Sequence, residues 1–94
     1  MNVFVDTSAF IALLVADDQN HVDAVRAFQA FKERTDSLFT TNYIVVETVS
    51  LLQRHFGMSA TRTFIENIIP LIQIEWIELD SHTEALGAFL IANR

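Results

Sequence analysis

The sequence predicts an α/β domain with a mostly parallel sheet covered on both faces by helices. Three observations carry that expectation. Short β-prone segments alternate with longer stretches of helical periodicity, which is the pattern of strands joined by helical crossovers. The strands are short and apolar, as buried strands are. Turn and capping residues stand where each change of period requires them.

Val3 to Val5 reads as the first buried strand. Ser8 can cap a helix that starts near Ala9 and runs to about Ala16, where Asp17-Asp18-Gln19-Asn20 breaks it. From His21 to about Arg34, Ala24, Ala27, Phe28 and Phe31 recur at helical spacing, which defines an amphipathic helix. Thr35-Asp36-Ser37 is turn chemistry and leads into a strand at Leu38-Phe39-Thr40. A third helix spans about Asn42 to His55, with Gly57 as its C-terminal signal. Ser59 can cap a fourth, which carries Phe64, Ile65, Ile68 and Ile69 and stops at Pro70. Ile72, Ile74 and Trp76 alternate with Gln73 and Glu75, which argues for a strand ending near Leu79. Ser81-His82-Thr83-Glu84 fits a capping box and opens a fifth helix bearing Leu86, Phe89 and Leu90. The order is βααβααβα.

Composition bounds the function. With 94 residues the chain is one domain, residues 1–94, and 51% apolar with 19% charged residues is the balance of a folded protein. No cysteine is present, so disulfides, zinc-thiolate sites and thiol nucleophiles are excluded, and a reducing cytoplasm suits the chain. The longest apolar run, Ala9 to Ala16, falls far short of the ~18 residues of a membrane span. No Lys or Arg precedes it, so it does not read as a signal peptide. Two glycines, Gly57 and Gly87, cannot write a dinucleotide fingerprint or a phosphate-binding P-loop. The net charge of −6 opposes simple electrostatic binding of nucleic acid, so such a role needs bridging cations. The basic residues Arg26, Lys32, Arg34, Arg54 and Arg62 still leave room for a local basic face.

Asp6 is the leading candidate for chemistry. It follows a buried strand and precedes a helix, and ligands of open α/β sheets gather beyond the carboxyl ends of the strands. Glu47, inside Thr40-Thr41-Asn42-Tyr43-Ile44-Val45-Val46-Glu47-Thr48, is the second. Hard cations such as Mg²⁺ and Mn²⁺ prefer carboxylate oxygen and water, and two carboxylates plus a substrate phosphate can hold one. Each residue also has a plainer reading. Asp6 suits a helix start. Glu47 lies nearly opposite the stripe Val45, Val49, Leu52 and Phe56, which favours solvent, although Ile44 and Leu51 flank it and suggest a partly enclosed seam. Thr7, Ser8 and Thr41 can bond a metal-bound water or a phosphate, or serve only as caps and turn formers. Asp17-Asp18 reads as a solvated loop, Asp80 as a helix-start residue, and His21, His55 and His82 show no ligand spacing.

Val3-Phe4-Val5-Asp6-Thr7-Ser8-Ala9-Phe10-Ile11, then Thr40 to Glu47, then Glu75-Trp76-Ile77-Glu78-Leu79-Asp80 and the helix after it, closely resemble PIN-domain proteins, above all VapC-like toxins of bacterial toxin-antitoxin pairs. The resemblance implies a PIN-like, Rossmann-like parallel sheet flanked by helices. It implies a Mg²⁺- or Mn²⁺-dependent ribonuclease, cytoplasmic, often a homodimer, and held inactive by a small antitoxin. By position, Asp6 and Glu47 match the first two acidic metal ligands, and Ser8 and Thr41 match hydroxyl residues lining the site. The family's remaining acidic residues lie on a strand-helix segment beyond the helix that reaches Arg94, so the expectation is a domain truncated at its C-terminus. Two carboxylates are a poor basis for the family's full acidic cluster. The competing reading is therefore a non-catalytic PIN-like interaction module that dimerises or binds a protein partner. A signalling domain with Asp6 as phosphoacceptor lacks the acidic pair and Lys it needs.

Overall fold

A computed structural model describes residues 2–78 of the chain. Strand β1 (Asn2–Phe4) is followed by helices α1 (Thr7–Leu14) and α2 (His21–Glu33). Strand β2 (Ser37–Thr41) leads into α3 (Asn42–His55) and α4 (Met58–Thr63). The chain then continues through a π-helical turn (Phe64–Ile68) and a 3₁₀ turn (Ile69–Leu71) to β3 (Gln73–Glu75). The expected order holds as far as β3. The capping box at Ser81 and the fifth helix with Leu86, Phe89 and Leu90 lie outside the described residues.

All three strands run parallel in the order β1-β2-β3. The register opposes Val3 to Leu38 and Phe4 to Phe39, then Thr40 to Ile74 and Thr41 to Glu75. Because side chains alternate along a strand, Val3, Val5, Leu38, Thr40 and Ile72 share one face. The described helices pack there, and Phe10, Leu38, Leu52, Phe64 and Ile72 form the buried core. Phe10 and Phe64 meet edge to face with ring centroids 4.9 Å apart, an arrangement that aromatic quadrupoles favour. Phe4 and Phe39 point to the opposite face, 5.4 Å apart, and Phe4 remains half exposed.

Several boundaries differ from those the sequence suggests, each for a local reason. Ser8 does not cap α1; Asp6 does, with its side chain accepting from the Ala9 N–H, and Ser8 lies within the first turn. Helix α1 ends at Leu14 because Asp18 draws the chain into a turn: its N–H bonds the Val15 carbonyl, while its own carbonyl accepts from His21 N–H and its Oδ1 from Asn20 N–H. Ser59 is likewise inside α4, whose N-cap is Gly57. Gly57 also ends α3, as expected, with φ +89° and its N–H bonded to the Leu52 carbonyl. The fourth helix does not stop cleanly at Pro70. Proline lacks the N–H that would bond the Glu66 carbonyl, so the α-helical ladder cannot run through it. The chain widens instead, with Ile69 N–H reaching back to Phe64, and closes as a 3₁₀ turn. That widening leaves Phe64 fully buried.

The carboxyl ends of the strands are tied together by side chains. Thr40, nearly fully buried, donates from Oγ1 to the Val5 carbonyl at 2.7 Å, which fixes the peptide immediately before Asp6. Thr41 caps α3 by accepting from Ile44 N–H at 3.2 Å. Both helix starts therefore lie at the same edge of the sheet.

Candidate functional site

Asp6 leaves β1 in an extended conformation (φ −99°, ψ 176°), and this places its carboxylate over the first turn of α1. Oδ1 accepts two hydrogen bonds, from Ala9 N–H at 2.9 Å and from Ser8 Oγ at 3.0 Å. Oδ2 makes no hydrogen bond to the described residues, and the side chain is exposed. Asp6 is thus both things the sequence allowed, a helix cap through one oxygen and an open acceptor through the other.

Glu47 lies on the second turn of α3, exposed, between Ile44 and Leu51. It faces a cleft of about 380 Å³ whose walls are Thr7, Ser8 and Ile11 of α1, Asp18 and Asn20 of the following turn, and Glu47 and Leu51 of α3. Solvent exposure and partial enclosure are therefore compatible: Glu47 is exposed, and it is exposed into a cleft. Asp6 is not itself a wall of this cleft but is joined to it by the hydrogen bond from Ser8. Beside it α1 and α3 meet at two buried hydroxyls, Thr48 Oγ1 and Thr7 Oγ1, 3.4 Å apart.

Of the residues singled out from sequence, Ser8 and Glu47 share the cleft, with Asp6 one hydrogen bond away. Thr41 is occupied as the cap of α3 and does not line it. Asp18 does line it, although the sequence marks it only as loop. Nothing in residue spacing signals Asp18, because what brings it in is the turn that folds back between α1 and α2. Among the described residues no Lys, Arg or His lines the cleft, and the charged groups they bring to it are two carboxylates, Asp18 and Glu47. A second concavity of about 120 Å³ between β1, α1 and α2 is walled by apolar residues including Val3, Leu13, Phe28 and Phe31 and offers no group for chemistry.

The donor chemistry suits a hard divalent cation: carboxylate and hydroxyl oxygens, with no nitrogen or sulfur that would favour a softer metal. The number of donors is the limit. Among the described residues no three His, Asp or Glu side chains converge on a common point. Bound Mg²⁺ usually keeps several waters and takes only one or two carboxylates, so a small number of protein donors is not foreign to that ion.

The PIN domain family model matches residues 3–93 of the chain. The chain belongs to the PIN domain family. Among solved structures it is similar to the crystal structure of the VapC20 toxin of Mycobacterium tuberculosis, described as a sarcin-ricin loop cleaving toxin, with a TM-score of 0.76 and 27% sequence identity. The match covers 94% of this chain and 66% of the toxin, so this chain spans just under two thirds of its neighbour. The fold is thus the PIN-like, VapC-like fold that the opening and central motifs suggest. No curated protein sequence matches the chain.

Proposed function

We propose that this chain carries part of the acidic site of a divalent-metal-dependent endoribonuclease, the toxin of a toxin-antitoxin pair. The supporting observation is the cleft between α1 and α3, where Glu47, Asp18 and Ser8 meet, Asp6 stands one hydrogen bond away, and none of the described residues brings a cationic side chain. Such a cleft repels a phosphate backbone unless a cation intervenes, since two unit charges ~4 Å apart interact by about 4 kcal/mol near a protein surface. A bound Mg²⁺ or Mn²⁺ would supply that charge, activate a water and offset negative charge developing on the phosphate. Asp6 and Glu47 would hold it through carboxylate oxygens. Ser8 fixes the Asp6 carboxylate by donating to Oδ1, which leaves Oδ2 for the ion. In this reading the partners are an RNA substrate, a cognate antitoxin and a second copy of the chain, and the setting is the cytoplasm.

Calorimetric titration with Mn²⁺ and an RNA cleavage assay test the reading together. Wild type should bind Mn²⁺ and cleave RNA, and Asp6→Asn and Glu47→Gln should each remove both while leaving the folded CD spectrum. Cleavage retained in both variants would sink the site assignment. One observation favours a second reading, a non-catalytic PIN-like module that dimerises or binds a protein partner: the absence of a third convergent ligand among the described residues. Weak Mn²⁺ binding without cleavage, together with a stable dimer in light scattering, is the outcome that supports it.

A further inference from the structure

Thr7 and Thr48 are the immediate chain neighbours of Asp6 and Glu47, and they meet across the α1-α3 seam. Thr48 is 0% exposed and Thr7 9% exposed. A hydroxyl has one hydrogen to donate and two lone pairs to accept with. Thr48 Oγ1 donates its hydrogen to Thr7 Oγ1, and among the described residues that is its only hydrogen bond. Thr7 accepts from behind and lines the cleft in front, so its own hydrogen is not used in that bond and the cleft is open to it. A pair of valines would fill the same space without the desolvation cost of two hydroxyls. The polar pair is therefore better explained by what Thr7 presents than by what it contributes to packing.

We propose that Thr48 is a positioning residue: by occupying a lone pair of Thr7 it turns the Thr7 O–H into the cleft as a donor to a phosphate oxygen of bound RNA. The donor complements the acidic residues. Asp6, Asp18 and Glu47 can only accept when ionised, whereas Thr7 can bond the phosphate directly. Thr48 itself touches neither RNA nor metal. This inference rests on the reading of the cleft as an RNA-binding site.

The test is fluorescence anisotropy of a labelled short RNA in Mn²⁺, with thermal melting of each variant alongside. Thr7→Val should weaken binding by roughly 10- to 150-fold, the size expected of one lost hydrogen bond to a charged group. Thr48→Val should weaken it by a similar factor with no loss of melting temperature. Thr48→Ser should bind as wild type although it loses a buried methyl group. In the Thr7→Val background Thr48→Val should have no further effect, because it acts through a hydroxyl already gone. Wild-type binding by Thr48→Val, an additive double variant, or a Thr48→Ser as weak as Thr48→Val would each overturn the proposal. If Asp6→Asn and Glu47→Gln still abolish Mn²⁺ binding, those outcomes overturn this role alone. If wild type shows no Mn²⁺-dependent RNA binding, the site reading and this role fall together.

Discussion

The side-chain amide of Asn42 grips the backbone of Ile77 in both directions, accepting from its N–H at 2.8 Å and donating to its carbonyl at 3.2 Å. Regular pairing of β2 with β3 ends at Thr41 and Glu75, and Asn42 is already the first residue of α3. The amide therefore replaces the peptide group that a continued strand would have offered. It holds the segment after β3 against the edge from which Asp6 also emerges. Asn42→Ala leaves both Ile77 groups without that partner in a half-buried position, and a loss of about 1–3 kcal/mol is expected. Asn42→Asp should recover little, because a carboxylate can accept from the N–H but opposes the carbonyl. Urea denaturation measures both, and an unchanged midpoint for Asn42→Ala would show that the clamp adds nothing.

Local chemistry made most of the fold legible. The period of Val3-Phe4-Val5, the amphipathic stripe of α2 and the glycine after α3 are each decided within a few residues, so sequence and structure agree there. The caps of α1 and α4 lie two residues before Ser8 and Ser59 because serine, aspartate and glycine compete for the same position, and only the backbone angles show which wins. The site was legible in part. Asp6 stands out by its position after a strand and Glu47 by motif, but Asp18 enters the cleft through tertiary folding of the turn after α1, which no spacing rule encodes. The Thr7-Thr48 contact joins residues 41 apart in sequence and was equally invisible.

Helix α2 closes with a threonine where glycine is usual. Thr35 has φ +55°, its N–H bonds the Lys32 carbonyl, and Asp36 N–H bonds the Phe31 carbonyl, the paired bonds of a Schellman ending. A β-branched residue in this left-handed conformation costs about 1–2 kcal/mol, partly offset in any glycine variant by the greater entropy of the unfolded chain. Thr35→Gly should therefore raise stability by about 0.5–1 kcal/mol. A higher denaturation midpoint checks it, and a lower one would mean that the hydroxyl bond to the Arg34 carbonyl outweighs the strain.

Gly57 presents the opposite case. A Cβ built there meets nothing within 4 Å, so space does not demand glycine. The backbone does: φ +89° with ψ 175° lies in a region that side chains scarcely enter, at a cost of about 1–3 kcal/mol. Gly57→Ala should lose that much stability without any steric clash. Since Gly57 sits between α3 and α4, a loss accompanied by unchanged Mn²⁺ binding would place the strain away from the cleft, as the structure does. Wild-type stability would mean that the turn relaxes to another conformation.

Asp6 has two jobs on one side chain, and two substitutions separate them. Asparagine caps helices about as well as aspartate, so Asp6→Asn should keep the bonds from Ala9 N–H and Ser8 and leave stability close to wild type. It loses the negative charge, and with it the affinity for a hard divalent ion. Asp6→Ala loses the cap as well, at about 0.5–2 kcal/mol, and frees Ser8 from its acceptor. The expected pattern is that Mn²⁺ binding falls equally in both variants while only Asp6→Ala melts earlier. Calorimetry and thermal melting on the same samples decide it. If Mn²⁺ affinity instead survives in Asp6→Asn, Asp6 is a helix cap alone, and the metal must be sought on Glu47 and Asp18 across the cleft.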